Sequence, residues 1–282
     1  MNFIKMHGTG NDFIVIDARE IRRNWTKLAQ KLCDRHFGVG SDGLLLVLPS
    51  RRADFRMRMF NPDGSEAEIC GNGIRCFAKY VTDHGLTEKN NISVETLAGV
   101  KHIKTFLRNK QVQQVRVNMG APHLHPGDIP VRGDFTMSPV VDYPLTVAGR
   151  TLFLTFVNMG NPHAVTFIDE PVEKFPLAEI GPQVEHHPLF PKRTNFEIVN
   201  VKGKGKLQAR VWERGAGLTL SCGSGACAVA VAARLKEYTD KIVDITLPGG
   251  NLTLEWAGKG DVFLSGPAVE VFEGEWGELK TL

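Results

Sequence analysis

Two short glycine-rich segments, Cys70-Gly71-Asn72-Gly73 and Cys222-Gly223-Ser224-Gly225, lie 152 positions apart in a chain of 282 residues. Each precedes a segment with helical periodicity, so each cysteine is predicted to lie at the N-terminus of a helix. Unpaired backbone N–H groups and the helix dipole at such a position stabilise a thiolate and can bind a carboxylate. The two segments therefore predict two equivalent thiol sites, one in each half of the chain.

Further matches at nearly the same spacing indicate an internal repeat. The segment Phe13–Asp17 has a counterpart in Val165–Asp169, again 152 positions later, and Gly10-Asn11 has one in Gly160-Asn161, 150 positions later. Chance can produce any one match of this length. Three matches at nearly one spacing favour a duplicated supersecondary unit.

Most of each half has the pattern of short strands, and the helices are few. Residues 196–201 and 207–212 flank Gly203-Lys204-Gly205 and predict a hairpin. Helical spacing predicts one helix from Trp25 to Cys33 and another that follows Cys70 and stops at Gly85. The segment Ala226–Ala233 is apolar or small on every side, so we expect it to be buried inside a curled sheet.

Composition excludes several classes of protein. Hydrophobic residues make up 42% and charged residues 23%, as in an ordinary globular protein. The net charge of +3 is small, so the composition does not indicate binding to nucleic acid or to a membrane. We see neither a cleavable leader nor about eighteen consecutive apolar residues, and expect a cytoplasmic protein. None of the five cysteines forms a Cys-x-x-Cys pair, so thiols rather than disulfides are expected.

The five cysteines differ in context. Cys33 lies on the apolar face of its predicted helix, and Cys76 and Cys227 lie inside theirs, so all three are expected to be packing residues. A zinc site formed by Cys70, Cys76, Cys222 and Cys227 is an alternative, but their spacings are not those of known zinc motifs. Only Cys70 and Cys222 precede Gly-x-Gly at a helix start.

Two thiols and a carboxylate-binding site suit one kind of chemistry. Inversion of an amino acid at its α-carbon requires one group that removes a proton and another that returns a proton to the opposite face. A thiol whose pKa is brought toward neutrality can do either. No lysine stands in a Schiff-base context and no phosphate-binding loop is present, so we expect a reaction without a cofactor.

Six segments carry a resemblance to a known family: Lys5–Phe13, Asn61–Ser65, Cys70–Cys76, Asn158–His163, Glu213–Gly217 and Cys222–Cys227. Over essentially its full length, the chain closely resembles the diaminopimelate epimerases. The resemblance implies an α+β fold of two pseudo-symmetric domains, each a curled, mostly antiparallel β-sheet wrapped around a central α-helix. We predict one domain from residues 1–119 plus 268–282 and the other from 120–267, with the active site in the cleft between them.

The resemblance also implies an activity. A member of this family converts LL-2,6-diaminopimelate to meso-diaminopimelate, a lysine and peptidoglycan precursor, without pyridoxal phosphate or a metal. Cys70 and Cys222 would be the two acid/base groups, and their roles would exchange with the configuration of the substrate. The expected partner is this small molecule, and the family tends to form homodimers.

The remaining site residues are likewise implied by the resemblance. Backbone N–H groups around Gly71, Asn72, Gly223 and Ser224 would hold the reacting carboxylate. Seven side chains would read the far end of the substrate or support the thiols: Asn11, Asn61, Asn161, Asn195, Glu213, Arg214 and His163. Glu213 suits an ammonium and Arg214 a carboxylate, although an adjacent Glu-Arg pair can also be a solvated ion pair. His163 either helps to take a thiol proton or is a neutral histidine bonded to backbone.

Two alternatives stay open at this point. Proline racemases and hydroxyproline epimerases resemble this chain in fold and in their cysteine pair, but they usually have histidine where this chain has Asn72. A binding protein or redox sensor could instead use Cys70 and Cys222 as a reversible disulfide. Family members also often have glutamine at the position of Gly43.

Overall fold

The structure, a computed structural model, describes residues 1–135 and 137–277. The chain divides into two compact units. The first unit contains Met1–Val117 and the segment that starts at Gly266, and the second unit contains Asn118–Ser265. Residues 278–282 of the predicted first domain lie outside the described residues.

Strands and helices follow one another in the same order in the two units. The first unit contains β1 (Asn2–Gly8), β2 (Asn11–Asp17), α1 (Trp25–Cys33), β3 (Gly43–Leu48), β4 (Phe55–Phe60), β5 (Glu66–Ala67), α2 (Gly71–Asp83), β6 (Asn91–Thr96), β7 (Gly99–Arg108) and most of β8 (Gln111–Gly120). The second contains a 3-10 helix (Pro126–Asp128), β9 (Tyr143–Val147), β10 (Arg150–Asn158), β11 (Pro162–Phe167), α3 (Leu177–Glu185), β12 (Asn195–Gly203), β13 (Lys206–Glu213), β14 (Gly217–Thr219), α4 (Gly223–Leu235), β15 (Ile242–Leu247), β16 (Gly250–Glu255) and most of β17 (Val262–Gly266). The last strand, β18 (Val269–Glu275), belongs to the first unit.

The pairing scheme repeats from one unit to the other. In the first unit β2 pairs with β3 in parallel and β4 with β6 in parallel, whereas the pairs β1–β2, β3–β4 and β6–β7 are antiparallel. In the second unit β11–β12 and β13–β15 are the corresponding parallel pairs, and β10–β11, β12–β13 and β15–β16 are antiparallel. The predicted pseudo-symmetric fold with mostly antiparallel sheets is confirmed.

The two units differ in which strand pairs with the outer side of their equivalent strands β1 and β10. In the second unit β10 pairs with β9, which immediately precedes it in the chain. In the first unit the equivalent partner of β1 is β18, from the end of the chain. The first unit therefore consists of two chain segments, and its closing pair joins residues that are more than 260 positions apart, such as Asn2 and Glu275.

A helix lies at the centre of each sheet, as predicted. Helix α4 consists mainly of alanine, valine and glycine and packs against β10, β11, β12 and β16. Val165, Val199 and Ile245 belong to the core around it. Its small side chains allow the sheet to approach on every side, which explains why a helix without a polar face is stable here. Helix α2 packs against β1, β2 and β3 in the same way.

Local signals define the ends of the helices in the first unit. The side chain of Asn24 caps α1 by accepting a hydrogen bond from the Lys27 amide at 3.1 Å. Helix α2 ends at Asp83, and the next turn closes through Gly85, whose φ of +68° lies in the left-handed region that favours glycine. Among the described residues, none of the helices combines the length and hydropathy needed to cross a bilayer.

Candidate active site

Both cysteines of the repeated segments are helix N-caps. Cys70 precedes α2 with φ −134° and ψ 121°, and Cys222 precedes α4 with φ −120° and ψ 118°. The backbone is therefore extended at each cysteine and helical from the glycine that follows. This geometry leaves the N–H groups of the first helical turn available beside each sulfur atom.

Cys70 is half-buried and has polar neighbours. Its sulfur accepts a hydrogen bond from the Gly73 amide at 3.4 Å and lies 3.5 Å from Asn11 Oδ1, to which its S–H can donate. Asn11, at the start of β2, in turn donates from Nδ2 to Asp42 Oδ2 at 2.6 Å. The structure thus brings the predicted Asn11 to the predicted thiol.

A cluster of charged side chains holds Asp42, the hydrogen-bond partner of Asn11. Asp12 forms ion pairs with Lys5 Nζ at 2.6 Å and with Arg35 at 2.7 Å, and Arg35 also contacts Asp42 at 2.7 Å. Burial by itself would raise the pKa of Asp12, but Arg35 and Lys5 outweigh it and hold that pKa well below its usual range. Asp12 is therefore ionised, and the cluster fixes the loop that carries Asp42.

A fully buried arginine organises the first turn of α2. Arg75 donates to the carbonyl of Gly71 at 3.1 Å, to Asn72 Oδ1 at 2.8 Å and to Thr9 Oγ1 at 3.0 Å. Because the side chain of Asn72 is turned inward to Arg75, its backbone N–H is the group of this residue that suits a ligand. The backbone role predicted for Gly71 and Asn72 stays a prediction.

Asn61 lies in a separate turn of the first unit. Its Nδ2 donates to Ser65 Oγ at 2.9 Å, and its backbone amide donates to the Ser65 carbonyl at 2.8 Å. Gly43, where family members often have glutamine, is buried, and a Cβ atom there would lie 3.1 Å from both Met59 Cε and the Phe60 carbonyl. A larger residue would therefore need a shift of Met59.

Cys222 is more deeply buried than Cys70, with 6% of its surface exposed. Its sulfur lies 3.5 Å from Ser224 Oγ. Burial, and then the negative charge of Glu213, raise the pKa of Cys222 well above its ordinary value of 9. In the structure as it stands, this group is a thiol at neutral pH and can donate a proton.

His163 is completely buried and has two polar side chains as partners. Its Nδ1 is 2.7 Å from Glu197 Oε1, and its Nε2 is 2.9 Å from Asn161 Oδ1. The structure thus gives His163 two side-chain partners rather than the backbone partner that we considered. Because both ring nitrogens are engaged, taking a proton from a thiol would require one of these hydrogen bonds to open, and that role stays a prediction.

Two buried side chains hold the turn that follows β13. Asn195 donates to the Pro162 carbonyl at 2.8 Å and accepts from the Arg214 amide at 2.9 Å. Glu185 accepts from the Gly215 amide at 2.9 Å and from Trp212 Nε1 at 2.7 Å. Asn195 thus positions the turn through its amide, and its predicted contact with substrate stays a prediction.

The predicted Glu-Arg pair lies at this turn. Glu213 accepts a hydrogen bond from the Thr219 hydroxyl. Arg214 is exposed, and its Nη1 donates to the Lys192 carbonyl at 3.3 Å. The two side chains therefore have different partners and do not form a solvated ion pair with each other. The guanidinium of Arg214 is placed where a carboxylate from solution can reach it.

The other cysteines are in the core, as predicted. Cys33, Cys76 and Cys227 are each at most 2% exposed, and burial raises the pKa of Cys76 to about 12. Thiols with that environment are poor acid/base groups at neutral pH. Over residues 1–135 and 137–277, no group of three or more His, Cys, Asp or Glu side chains is arranged to hold a metal ion.

Three residues that organise the site were not predicted from the sequence: Arg75, Glu185 and Glu197. Glu197 had a usable signal, since it is the one charged residue in the strand segment Phe196–Val199, which is otherwise apolar and buried. A charge in such a segment indicates a buried polar partner. Arg75 lies between Ile74 and Cys76 in α2, and Glu185 follows Val184 at the end of α3. Because charged residues alternate with apolar ones in any amphipathic helix, neither had a comparable signal.

Comparison with known proteins decides the family. The profile described as diaminopimelate epimerase matches residues 3–125 and 155–271. The chain belongs to the diaminopimelate epimerase family. Its relatives include the diaminopimelate epimerase of Acetivibrio thermocellus, 52% identical over 98% of both chains, and that of Moorella thermoacetica, 51% identical over 98% of this chain and 99% of the relative.

The fold is shared more widely than the diaminopimelate epimerase family. A hydroxyproline epimerase from Agrobacterium vitis has a solved structure that matches 97% of this chain and 91% of its own with a TM-score of 0.70, at 15% sequence identity. At that identity the likeness is one of fold alone. The family match, and not the fold, separates this chain from the proline racemase and hydroxyproline epimerase alternative.

Proposed function

We propose that this protein interconverts LL- and meso-2,6-diaminopimelate, with Cys70 and Cys222 as its two acid/base groups. Membership of the diaminopimelate epimerase family supports the reaction and the substrate. The product is a lysine precursor, so the reaction belongs to amino-acid biosynthesis. The observation that carries the assignment of the bases is that both cysteines are N-caps of equivalent central helices.

The chemistry follows from two thiols that act on one α-carbon. The thiolate of one cysteine takes the α-proton, and the electron pair of the broken C–H bond moves toward the substrate carboxylate. The thiol of the other cysteine then gives its proton to the opposite face of the carbon. Because one proton enters and one leaves, the enzyme finishes with its thiolate and thiol exchanged.

Backbone N–H groups would stabilise the charge that develops on the carboxylate. The first turns of α2 and α4 offer the N–H groups of Gly71, Asn72, Gly223 and Ser224 beside the two sulfur atoms. Hydrogen-bond donors that are fixed before the reaction stabilise a developing oxyanion without reorganisation. A Cβ atom would lie 3.3 Å from Leu45 Cδ2 at Gly73 and 2.8 Å from Glu197 Oε1 at Gly225, so the second glycine of each Cys-Gly-x-Gly segment lets the start of the helix pack closely against its neighbours.

Charged groups of the second unit suit the far end of the substrate and the second thiol. Arg214 presents an exposed planar fork to a carboxylate. The carboxylate of Glu213 raises the pKa of Cys222. It can also receive the proton of the Cys222 thiol, which would support Cys222 when Cys222 acts as the base. Asn11, Asn61, Asn161 and Asn195 complete the proposed binding set, with Asn195 acting through the position of the Arg214 turn.

The decisive experiment is hydrogen exchange at the α-carbon. Reduced protein is incubated with LL-diaminopimelate in D2O, and we expect the meso isomer with deuterium at the inverted carbon. Cys70→Ala and Cys222→Ala should each abolish turnover, whereas Cys227→Ala, a buried thiol in α4, should retain it. Epimerisation at the wild-type rate by either of the first two variants would refute the two-thiol assignment.

The same experiment tests the binding-protein alternative. A redox sensor or binding protein would retain diaminopimelate without exchanging its α-hydrogen. Homodimer formation and a cytoplasmic location stay predictions, and sedimentation equilibrium of the purified chain would measure the first of them.

A further inference from the structure

Glu197 and His163 form a buried pair on the face of the second sheet that covers α4. The parallel pairing of β11 with β12 sets Val165 opposite Glu197, so His163 lies diagonally across from Glu197 on the same face. His163 is 0% and Glu197 1% exposed, and Nδ1 lies 2.7 Å from Oε1. A Cβ atom at Gly225 would lie 2.8 Å from the same carboxylate oxygen, so Gly225 makes room for the pair beside the first turn of α4.

The positions of the protons follow from the partners. Asn161 Oδ1 is an acceptor, so the 2.9 Å contact requires a hydrogen on His163 Nε2. One more proton lies between His163 Nδ1 and Glu197 Oε1, on either atom. Glu197 Oε2 is buried without a hydrogen-bond partner, which agrees with a pair that holds this proton and has no net charge.

We infer that Glu197 is a positioning residue that acts through His163 to turn the carboxamide of Asn161 so that its N–H2 group faces the substrate. Glu197 shares its proton with Nδ1, which keeps the other ring hydrogen on Nε2. That hydrogen binds Asn161 Oδ1 and leaves Nδ2 with two donors. The inference rests on the proposed function, in which Asn161 contacts the far end of diaminopimelate.

The orientation of this amide decides which chemical group is selected. With Nδ2 outward, Asn161 donates to a carboxylate; with Oδ1 outward, it accepts from an ammonium. A His163 protonated only on Nδ1 would attract the N–H2 group and reverse the selection. Glu197 therefore contributes to the preference for a substrate that carries a second carboxylate, although it does not touch the substrate.

The protonation of His163 can be measured directly in the wild-type protein. Nitrogen-15 NMR of histidine-labelled protein distinguishes a protonated from an unprotonated ring nitrogen, and His163→Gln assigns the resonance among nine histidines. We expect Nε2 to carry hydrogen at neutral pH. An unprotonated Nε2 in wild-type protein would overturn the inference, and this measurement does not depend on the folding of a Glu197 variant.

Kinetics of two Glu197 variants separate positioning from packing. Glu197→Met fills the space but cannot bind Nδ1, so the Asn161 amide is no longer held with its N–H2 group toward the substrate carboxylate. Loss of that hydrogen bond to a charged group should raise KM for diaminopimelate about tenfold or more, with kcat within a few-fold of wild type. Glu197→Gln can donate an amide hydrogen to Nδ1 and should restore KM to within a few-fold of wild type. An unchanged KM in Glu197→Met, or equal impairment of both variants, contradicts the inference.

A double-mutant cycle tests whether the effect passes through Asn161. In an Asn161→Ala background, Glu197→Met should raise KM no further, because the amide that it orients is gone. Thr155→Val, which removes a buried hydroxyl without a hydrogen-bond partner on neighbouring β10, is the matched control and should leave KM and the His163 resonance unchanged. Additive effects of Glu197→Met and Asn161→Ala would refute the route.

The inference and the proposed function fail in different ways. Absence of α-hydrogen exchange in the wild-type protein would refute the proposed function. Normal exchange together with an unprotonated Nε2, or with a KM that does not respond to Glu197→Met, would refute the inference alone.

Discussion

Glu185→Gln tests how the turn that carries Glu213 and Arg214 is held in place. Glu185 is the last residue of α3, is 3% exposed, and binds Trp212 Nε1 at 2.7 Å and the Gly215 amide at 2.9 Å. A carboxylate accepts both hydrogen bonds. Glutamine has only one acceptor oxygen, so one of the two N–H groups would face its N–H2 group instead.

The expected loss in free energy of unfolding depends on which of the two hydrogen bonds glutamine gives up. Gly215 lies on an exposed turn where water can replace its partner, whereas the Trp212 contact is on the inside, so glutamine should keep Trp212 and release Gly215. Loss of a hydrogen bond to a charged acceptor costs roughly 1.5–3 kcal/mol, and we expect about 2 kcal/mol here. The contact of Glu185 with Arg193, at 3.6 Å and with Arg193 55% exposed, adds little.

Urea unfolding followed by tryptophan fluorescence is the assay, because Trp212 is a direct contact of Glu185. With a slope of about 2–3 kcal/mol per M, the midpoint should fall by somewhat less than about 1 M. Release of Gly215 should also raise KM for diaminopimelate, because the adjoining Arg214 loses its fixed position. Glu179→Gln, on the exposed face of the same helix, is the matched control. If both variants unfold at the same urea concentration, the turn is not held by Glu185.

Three further predictions concern single groups. Burial and the charge of Glu213 raise the pKa of Cys222, so Glu213→Gln should lower that pKa. Alkylation of Cys222 by iodoacetamide at pH 8, measured by peptide mass spectrometry, should then be faster, and an unchanged rate would contradict this. Gly85→Ala should lower the free energy of unfolding by about 1 kcal/mol, because φ is +68° at this position. An added Cβ atom meets nothing within 4 Å, so the cost comes from the backbone alone, and Gly85→Asn should cost less. If Gly85→Ala unfolds at the same urea concentration as wild type, the left-handed turn is not required. Lys89, at 2.6 Å, and hydrogen bonds from the amide and hydroxyl of Ser93 lower the pKa of Asp54 to about 2. The stabilisation from ionised Asp54 is therefore present above its unfolded pKa near 4 and is lost as pH falls toward 2. Asp54→Asn should flatten the acid limb of a plot of stability against pH, and parallel curves for variant and wild type would argue against it.

Local signals predicted much of the fold. The hairpin of β12 and β13, the helices α1, α2 and α4 and their starting residues follow from periodicity, turn residues and caps, which act within a few residues of one another. Helix α3 was missed because Gly181-Pro182 has the pattern of a turn. It is stable because Leu177, Ile180 and Val184 pack into the core, and because Gly181 lies so close to Trp212 that a Cβ atom would be 2.6 Å from the indole ring.

The duplication, the two thiols at helix N-termini and the family could all be predicted from the amino-acid sequence, because each depends on residues that are close together in the chain or repeated at one spacing. Three contacts became visible only in the folded chain: His163 with Glu197, Arg75 with the first turn of α2, and Glu185 with the turn after Trp212. These contacts join residues on different strands and helices. Burial makes a polar group without a partner costly, so each of these groups must form a hydrogen bond inside the fold. No local pattern in the chain records which partner the fold supplies.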